Sequence, residues 1–228
     1  RRTSRRALDP SRPVPSLPGA GSSRSSSEIM NTERKDAFHQ RAKREGYRSR
    51  AAYKLDELQR DHRLLRPGDR VVDLGCWPGG WLQVAAEAVG PSGRVVRVDL
   101  AAIDPPIPVE SVIAFQADLA EHLAGARILD VLGGLADAVL SDAAPKLTGI
   151  RATDRAHEES LLEAIEALLP DLLRPGGTLV VKLLEGPEAQ AIAKRLQKRF
   201  ASARITTSQA TRKGSSEKYL IARDFLSS

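Results

Sequence analysis

Short apolar runs alternating with stretches of helical periodicity predict an α/β fold, a doubly wound and mainly parallel sheet with helices on both faces. Two observations carry that expectation. Seven strand-length segments occur along the chain, at 70–74, 94–100, 111–116, 136–141, 178–184, 204–207 and 219–222, with helical segments between most of them. Four acids, Asp73, Asp99, Asp118 and Asp142, fall at or just past successive strand ends. In an open parallel sheet that rim is where ligands bind.

The elements follow in order. From 49 to 62, Ala51, Leu55 and Leu58 recur at helical spacing, and Lys54 lies on or beside that apolar face. Arg70 to Leu74 is a buried strand, and 79–89 reads as a helix after a glycine-rich turn. The second and third strands, 94–100 and 111–116, precede a helix expected at 119–132. The fourth strand, 136–141, leads to a long amphipathic helix at 154–173. Pro175-Gly176-Gly177 is read as a turn into the strand at 178–184. A helix at 187–200 and the strands at 204–207 and 219–222 complete the pattern, with no internal repeat.

Residues 1–29 are rich in Arg, Ser and Pro without apolar periodicity, so they are expected to be a disordered leader. The only methionine, Met30, directly follows and is the expected native start. The alternative reading of the nearly acid-free leader is a mitochondrial transit peptide. Residues 30–228 are expected to form a single domain opening on a basic helical segment at 34–62. Residues 34–54 hold eight Lys or Arg against two acids, and residues 194–218 hold eight against one, Glu217. The intervening 139 residues carry 12 basic and 22 acidic side chains. Two basic flanks around an acidic middle suit a polyanion held at the edges of the domain. Aromatics are 4% of the chain, too few for base stacking to dominate. The single cysteine, Cys76, excludes a disulfide framework and a cysteine-built metal site, and fits a reducing cytoplasmic setting. His39, His62, His122 and His157 lack ligand spacing, so no metal is expected. Nor is a membrane partner, because no apolar run approaches bilayer length.

The first strand runs into Asp73-Leu74-Gly75-Cys76-Trp77-Pro78-Gly79-Gly80-Trp81. Its glycines let a ligand approach closely, and Asp99, about twenty residues on, is placed to accept hydrogen bonds from ribose hydroxyls. The loop is not Gly-x-Gly-x-x-Gly and offers no compact run of amides to a pyrophosphate. A nucleoside without phosphates but with a cationic tail fits the acids better. Asp99 would take the ribose, Asp118 the adenine amine, and Asp73 or Asp142 the sulfonium-bearing tail of S-adenosylmethionine. A dinucleotide remains the competing ligand.

Several stretches in order over 37–222 resemble the FtsJ family of ribosomal RNA 2′-O-methyltransferases. They are 48–57, Val71-Val72-Asp73-Leu74-Gly75 with Pro78-Gly79-Gly80-Trp81, Ser141-Asp142-Ala143-Ala144-Pro145, 175–182, and Ser215-Ser216-Glu217-Lys218-Tyr219. The resemblance implies a Rossmann-like class I methyltransferase fold with a seven-stranded sheet. It implies a catalytic tetrad of Lys54, Asp142, Lys182 and Glu217. It also implies cofactor contacts at Gly79, Trp81, Asp99, Asp118 and Asp142, to which the loop reading adds Asp73 and Gly75. The expected substrate is a ribose 2′-hydroxyl, a uridine's, in large-subunit ribosomal RNA within the large subunit, acted on by a monomer. Transfer RNA or another structured RNA is the alternative.

The residue types suit that chemistry. A ribose hydroxyl is a poor nucleophile, and Lys182, at the end of an apolar run, can accept its proton or steer its oxygen. Lys54 supplies a second cation, while Asp142 and Glu217 orient the two ammonium groups. Taken without the motif, Lys54 reads as a helix lysine lying over apolar surface, and Asp142 as a turn residue. Cys76-Trp77 stands where the family commonly has Ala-Ala, and Lys146 where it has Asn. The Asp-Ala-Ala-Pro stretch lacks the aromatic of base-amine methyltransferases, and Cys76 sits in the wrong loop for a cytosine-carbon nucleophile. A dehydrogenase is the other enzyme class. A ribosome-assembly factor that only binds RNA is the non-enzyme reading, against which a lysine in an apolar strand argues.

Overall fold

The computed structural model describes residues 40–102, 106–121, 123–144, 148–184, 186–211 and 217–226. The leader, residues 34–39 of the basic segment and Lys146 lie outside them. After a helical turn at 40–44 the order is α1 (Ala51–His62), β1 (Arg70–Leu74), α2 (Gly80–Val89), β2 (Arg94–Asp99), β3 (Val112–Gln116), α3 (Ala124–Leu132), β4 (Ala136–Ser141), α4 (Arg151–Leu172), β5 (Leu173–Leu183), α5 (Pro187–Gln197), β6 (Phe200–Thr206) and β7 (Lys218–Phe225).

The sheet has seven strands in the order β3-β2-β1-β4-β5-β7-β6. β1 to β5 run parallel, and β7 enters antiparallel between β5 and β6. Winding reverses between β1 and β4, so their carboxyl ends open a crevice for a ligand. Central strands are apolar on both sides because both faces are covered. Val71, Val95, Ala138, Leu140, Val180, Tyr219 and Ile221 pack with α1 and α2, and Val72, Val96, Val139, Leu179 and Val181 pack with α3, α4 and α5. Leu55 and Leu58 fix α1 to this core, where truncating such a leucine to alanine costs about 2–5 kcal/mol.

Several expected boundaries shift for identifiable reasons. β5 begins at Leu173, which pairs with Ala136 before the ladder resumes at Thr178 opposite Ala138. Pro175-Gly176-Gly177 is therefore a bulge inside the strand, with Gly176 at φ 75°. α3 starts at Ala124 rather than 119, because the Asp118 carboxylate turns the preceding chain by accepting the Ala120 N–H at 2.9 Å. α4 tolerates Pro170 in its last turn. The Glu166 carbonyl, deprived of its partner N–H four residues on, accepts the Arg199 guanidinium at 3.1 Å instead. β6 is a mostly exposed edge strand from Phe200, so its first half carries no alternating signal.

Candidate active site

Strand register assembles the centre of the site. β4 pairs with β5 so that Ser141 lies beside Val181, which sets Asp142 next to Lys182. β5 pairs with β7 so that Lys182 lies directly opposite Tyr219, on the same face of the sheet. The Lys182 ammonium donates to the Asp142 carbonyl at 2.5 Å and lies 3.3 Å from Asp142 Oδ1. The Tyr219 hydroxyl donates to that same Oδ1 at 3.1 Å. Tyr219 is fully buried against the Trp81 ring, 5.7 Å away between centroids. Burial, then the nearby carboxylates Asp142 and Glu217, push its phenol well above the usual tyrosine range, so it remains a donor.

Lys54 arrives from the other side on α1. Its ammonium lies 2.7 Å from Glu217 Oε2 and 4.0 Å from Asp142 Oδ2, with only 5% of the side chain exposed. Burial would raise the Glu217 carboxyl, but the Lys54 hydrogen bond and charge, with Lys182 and Arg50, hold it below the ordinary carboxylate range. Lys54, Asp142, Lys182 and Glu217, spread over 163 positions of chain, thus form one connected cluster.

Two glycines permit this convergence. A Cβ on Gly75, at φ 68°, would collide with the Ala143 side chain and lie 3.3 Å from its Cα, so the β1 loop touches the residue after Asp142. A Cβ on Gly80 would collide with the Ser49 hydroxyl and lie 3.0 Å from the Ala52 nitrogen, so the start of α2 abuts the start of α1. Arg48 completes that seam: its backbone N–H donates to Gln83 Oε1 at 2.7 Å and its guanidinium to the Pro106 carbonyl at 2.9 Å.

Beside the cluster lies a cavity of about 650 Å³, walled by Gly75, Asp99, Asp118, Asp142 and Lys182 together with apolar side chains including Trp77 and Leu119. The Asp99 carboxylate accepts the Trp77 N–H at 2.8 Å and the Ala101 N–H at 2.9 Å, one on each oxygen. Each oxygen keeps a further lone pair directed to solvent or ligand. Three carboxylates on a wall that is otherwise mostly apolar, apart from Lys182 and Ser160, suit a nucleoside bearing a cationic tail, and the volume fits a ligand of that size.

Asp73, Gly79 and Trp81 are not among the residues walling this cavity. Asp73 is fully buried without a hydrogen-bond partner for its carboxyl, and burial, with repulsion from Asp142 and Asp99, pushes it up to about 8. Gly79, at φ 102°, precedes α2 and turns the loop. Trp81 is the wall against which Tyr219 rests. Cys76 is pushed up to about 12 by burial and by Asp73, and receives the Arg97 guanidinium at 3.1 Å, so it is an inert packing residue. Sequence reasoning quoted Tyr219 in a motif without a role; its partner Asp142 is visible only once the β5–β7 register is known. The α4 contribution to the cavity, Ser160, Leu161 and Ala164, carried no signal at all.

Residues 47–225 match the model of the FtsJ-like methyltransferases. The chain belongs to that family. It is 41% identical over 192 residues to ribosomal RNA large subunit methyltransferase E of Methanothermobacter thermautotrophicus, covering 84% of this chain and 90% of that one. The protein of the same name from Syntrophobacter fumaroxidans is 42% identical over 187 residues, 82% and 94% of the two chains. Among solved structures, a protein assigned as a ribosomal RNA methyltransferase from Plasmodium falciparum superposes with TM-score 0.69 at 28% identity, over 80% of this chain and 100% of the other. Aeropyrum pernix fibrillarin, at TM-score 0.54 and 16% identity over 77% and 75%, shares the fold. This FtsJ-like methyltransferase therefore has the Rossmann-like class I fold.

Proposed function

We propose that this enzyme methylates a ribose 2′-hydroxyl, that of a uridine, in large-subunit ribosomal RNA, using S-adenosylmethionine. The observation that carries the reading is the placement of two nearly buried ammonium groups, Lys54 and Lys182, around the single carboxylate of Asp142 at the edge of an acid-lined cavity. The curated relatives, named for large-subunit ribosomal RNA, support the substrate class.

The cofactor supplies an electrophilic methyl group on a positively charged sulfur that is already a good leaving group. Of the carboxylates lining the cavity, Asp99 would hold the ribose hydroxyls and Asp118 the adenine amine, while Asp142 would face the positive tail. Lys182 would steer the target hydroxyl oxygen and, as the free amine, take its proton while the oxygen–carbon bond forms and the methyl–sulfur bond breaks. Lys54 offers a second cation to that oxygen, and Glu217 orients Lys54. Tyr219 keeps the Asp142 carboxylate in one rotamer, so the acceptor and donor are held in line. The exposed Lys43 and Arg44, just before α1, offer phosphate contacts beside the site. All four members of the cluster come from one chain, so a monomer suffices.

The test is transfer of labelled methyl to large-subunit RNA by wild type and Lys182→Ala, with the modified position mapped by resistance of its 2′-O-methylated linkage to alkali. Lys182→Ala should lose transfer by at least about 10²-fold while cofactor affinity stays within threefold. Turnover near wild type in that variant, or label on a base, overturns the proposal.

A further inference from the structure

α1 carries a second anchoring residue one turn beyond Lys54. The Glu57 carboxylate accepts the Ser208 hydroxyl at 2.7 Å, the Gln209 backbone N–H at 2.8 Å and the Ala210 N–H at 3.2 Å. Those residues begin the connection from β6 to β7, more than 150 positions away in the chain. The turn is closed on itself as well: Ser208 Oγ accepts the Ala210 N–H at 3.1 Å, and the Ser208 carbonyl accepts the Thr211 N–H at 3.0 Å. Ser208 is buried although it lies in a loop. Glu57 feels burial first, which raises its carboxyl. Its two backbone bonds and the Ser208 hydroxyl outweigh burial and hold it below the ordinary range. A carboxylate that receives two backbone amides and a hydroxyl at these distances is a strong, directional clamp.

The far end of the same connection is Glu217, and it too is held by α1, through Lys54 at 2.7 Å. Lys54 and Glu57 are three positions apart, so they project from neighbouring strips of one helix. One helix therefore grips both ends of the β6–β7 connection. β6 is the exposed edge strand of the sheet, paired only with β7 among the described strands, so the sheet itself constrains the start of this connection weakly.

We propose that Glu57 is a positioning residue for methyl transfer: by fixing residues 208–210 on α1, it holds the start of the β6–β7 connection on the same helix whose Lys54 meets Glu217 at its end. The inference rests on the tetrad reading above. Glu57 is not among the residues walling the cavity; it acts through Glu217.

A double-mutant cycle separates this from a merely structural role. Glu57→Ala alone should lower kcat for methyl transfer by about tenfold, with cofactor Kd within twofold and a melting temperature close to wild type. In a Glu217→Ala background the same change should cost less than twofold, because the group it positions is gone. Ser208→Ala, which leaves the helix intact and removes one bond from the loop side, should reproduce a smaller loss and serves if Glu57→Ala does not fold. Independently of turnover, amide hydrogen exchange at Gln209 and Ala210 should accelerate in Glu57→Ala. An equal loss in both backgrounds, unchanged kcat in Glu57→Ala, or unchanged exchange at the two amides overturns the proposal. A Glu217→Ala enzyme as active as wild type would instead refute the tetrad reading, while accelerated exchange would still report the clamp.

Discussion

Replacing Lys54 by methionine keeps the buried alkyl stem of the side chain and deletes only its charge. The ammonium group has two carboxylate neighbours, Glu217 at 2.7 Å and Asp142 at 4.0 Å. Removing one partner of a fully buried ion pair costs about 3–5 kcal/mol. Here the orphaned side chains keep 21% and 16% exposure, so water softens the penalty to about 2–3 kcal/mol. For a domain of this size that is a fall in melting temperature of about 4–12 °C. The pH dependence is more diagnostic than the size. In wild type Glu217 is held below its ordinary value of 4.5 despite burial, chiefly through Lys54. A carboxylate with a depressed folded pKa adds stability above the unfolded value and loses it as pH falls through the folded one. Lys54→Met relieves that depression. The stability gap between the two proteins should therefore be full above pH 4.5 and narrow below it. Thermal melts from pH 3 to 8 read the gap directly, and a methyl-transfer assay at neutral pH should show a loss of at least about 10²-fold. A gap that stays constant with pH, together with turnover within twofold of wild type, would refute the argument that this ammonium organises the site.

Three further outcomes are expected. Gly75→Ala places a side chain at φ 68° into Ala143; the backbone alone costs about 1–2 kcal/mol, and displacement of Asp142 should weaken cofactor binding at least tenfold by calorimetric titration. Tyr219→Phe removes the hydrogen bond to Asp142 but keeps the buried ring; kcat should fall about three- to tenfold, with the KM for cofactor little changed. Arg50→Gln takes a cation from beside the catalytic cluster, where its charge acts on Glu217; the slope of log affinity for RNA against log salt should become shallower by about 1, read by filter binding over a salt series.

The part of the candidate site that lies on strand ends was legible in the sequence as a rim of acids, and the part that depends on long-range closure was not. Lys182 announced itself because a charge ending a run of Thr178-Leu179-Val180-Val181 is costly unless used. Asp99, Asp118 and Asp142 were readable because parallel strands end on a common rim. Lys54 and Glu217, 163 residues apart, share no spacing that links them. Their pairing came from the family resemblance alone. Tyr219 and Glu57 lie in the family-like stretches, yet the contacts they make depend on the β5–β7 register and on residues 208–210 meeting α1, neither of which local propensity encodes. Asp73 differs from Asp99, Asp118 and Asp142. Its place at a strand end resembled that of the other three acids, but β1 is central and covered on both sides, so its side chain is sealed inside rather than turned to the cavity.

The four-residue cluster is consequently built from two parts of different rigidity. Asp142 and Lys182 leave adjacent central strands, and their relative position is set by backbone pairing that a surface substitution can hardly alter. Lys54 and Glu217 are carried by a helix and a loop at the margin, and their meeting depends on a close glycine approach at Gly80 and a side-chain clamp at Glu57. The first pair lines the acid-walled cavity; the second approaches it from α1. Perturbing Asp142, whose carboxylate walls the cavity, should therefore disturb cofactor and rate together, whereas truncating Lys182 should cost rate alone. Loosening the marginal pair should spare the cofactor and slow only the transfer step. That division of effects is the physical reason a loop-anchoring glutamate can control turnover from outside the pocket.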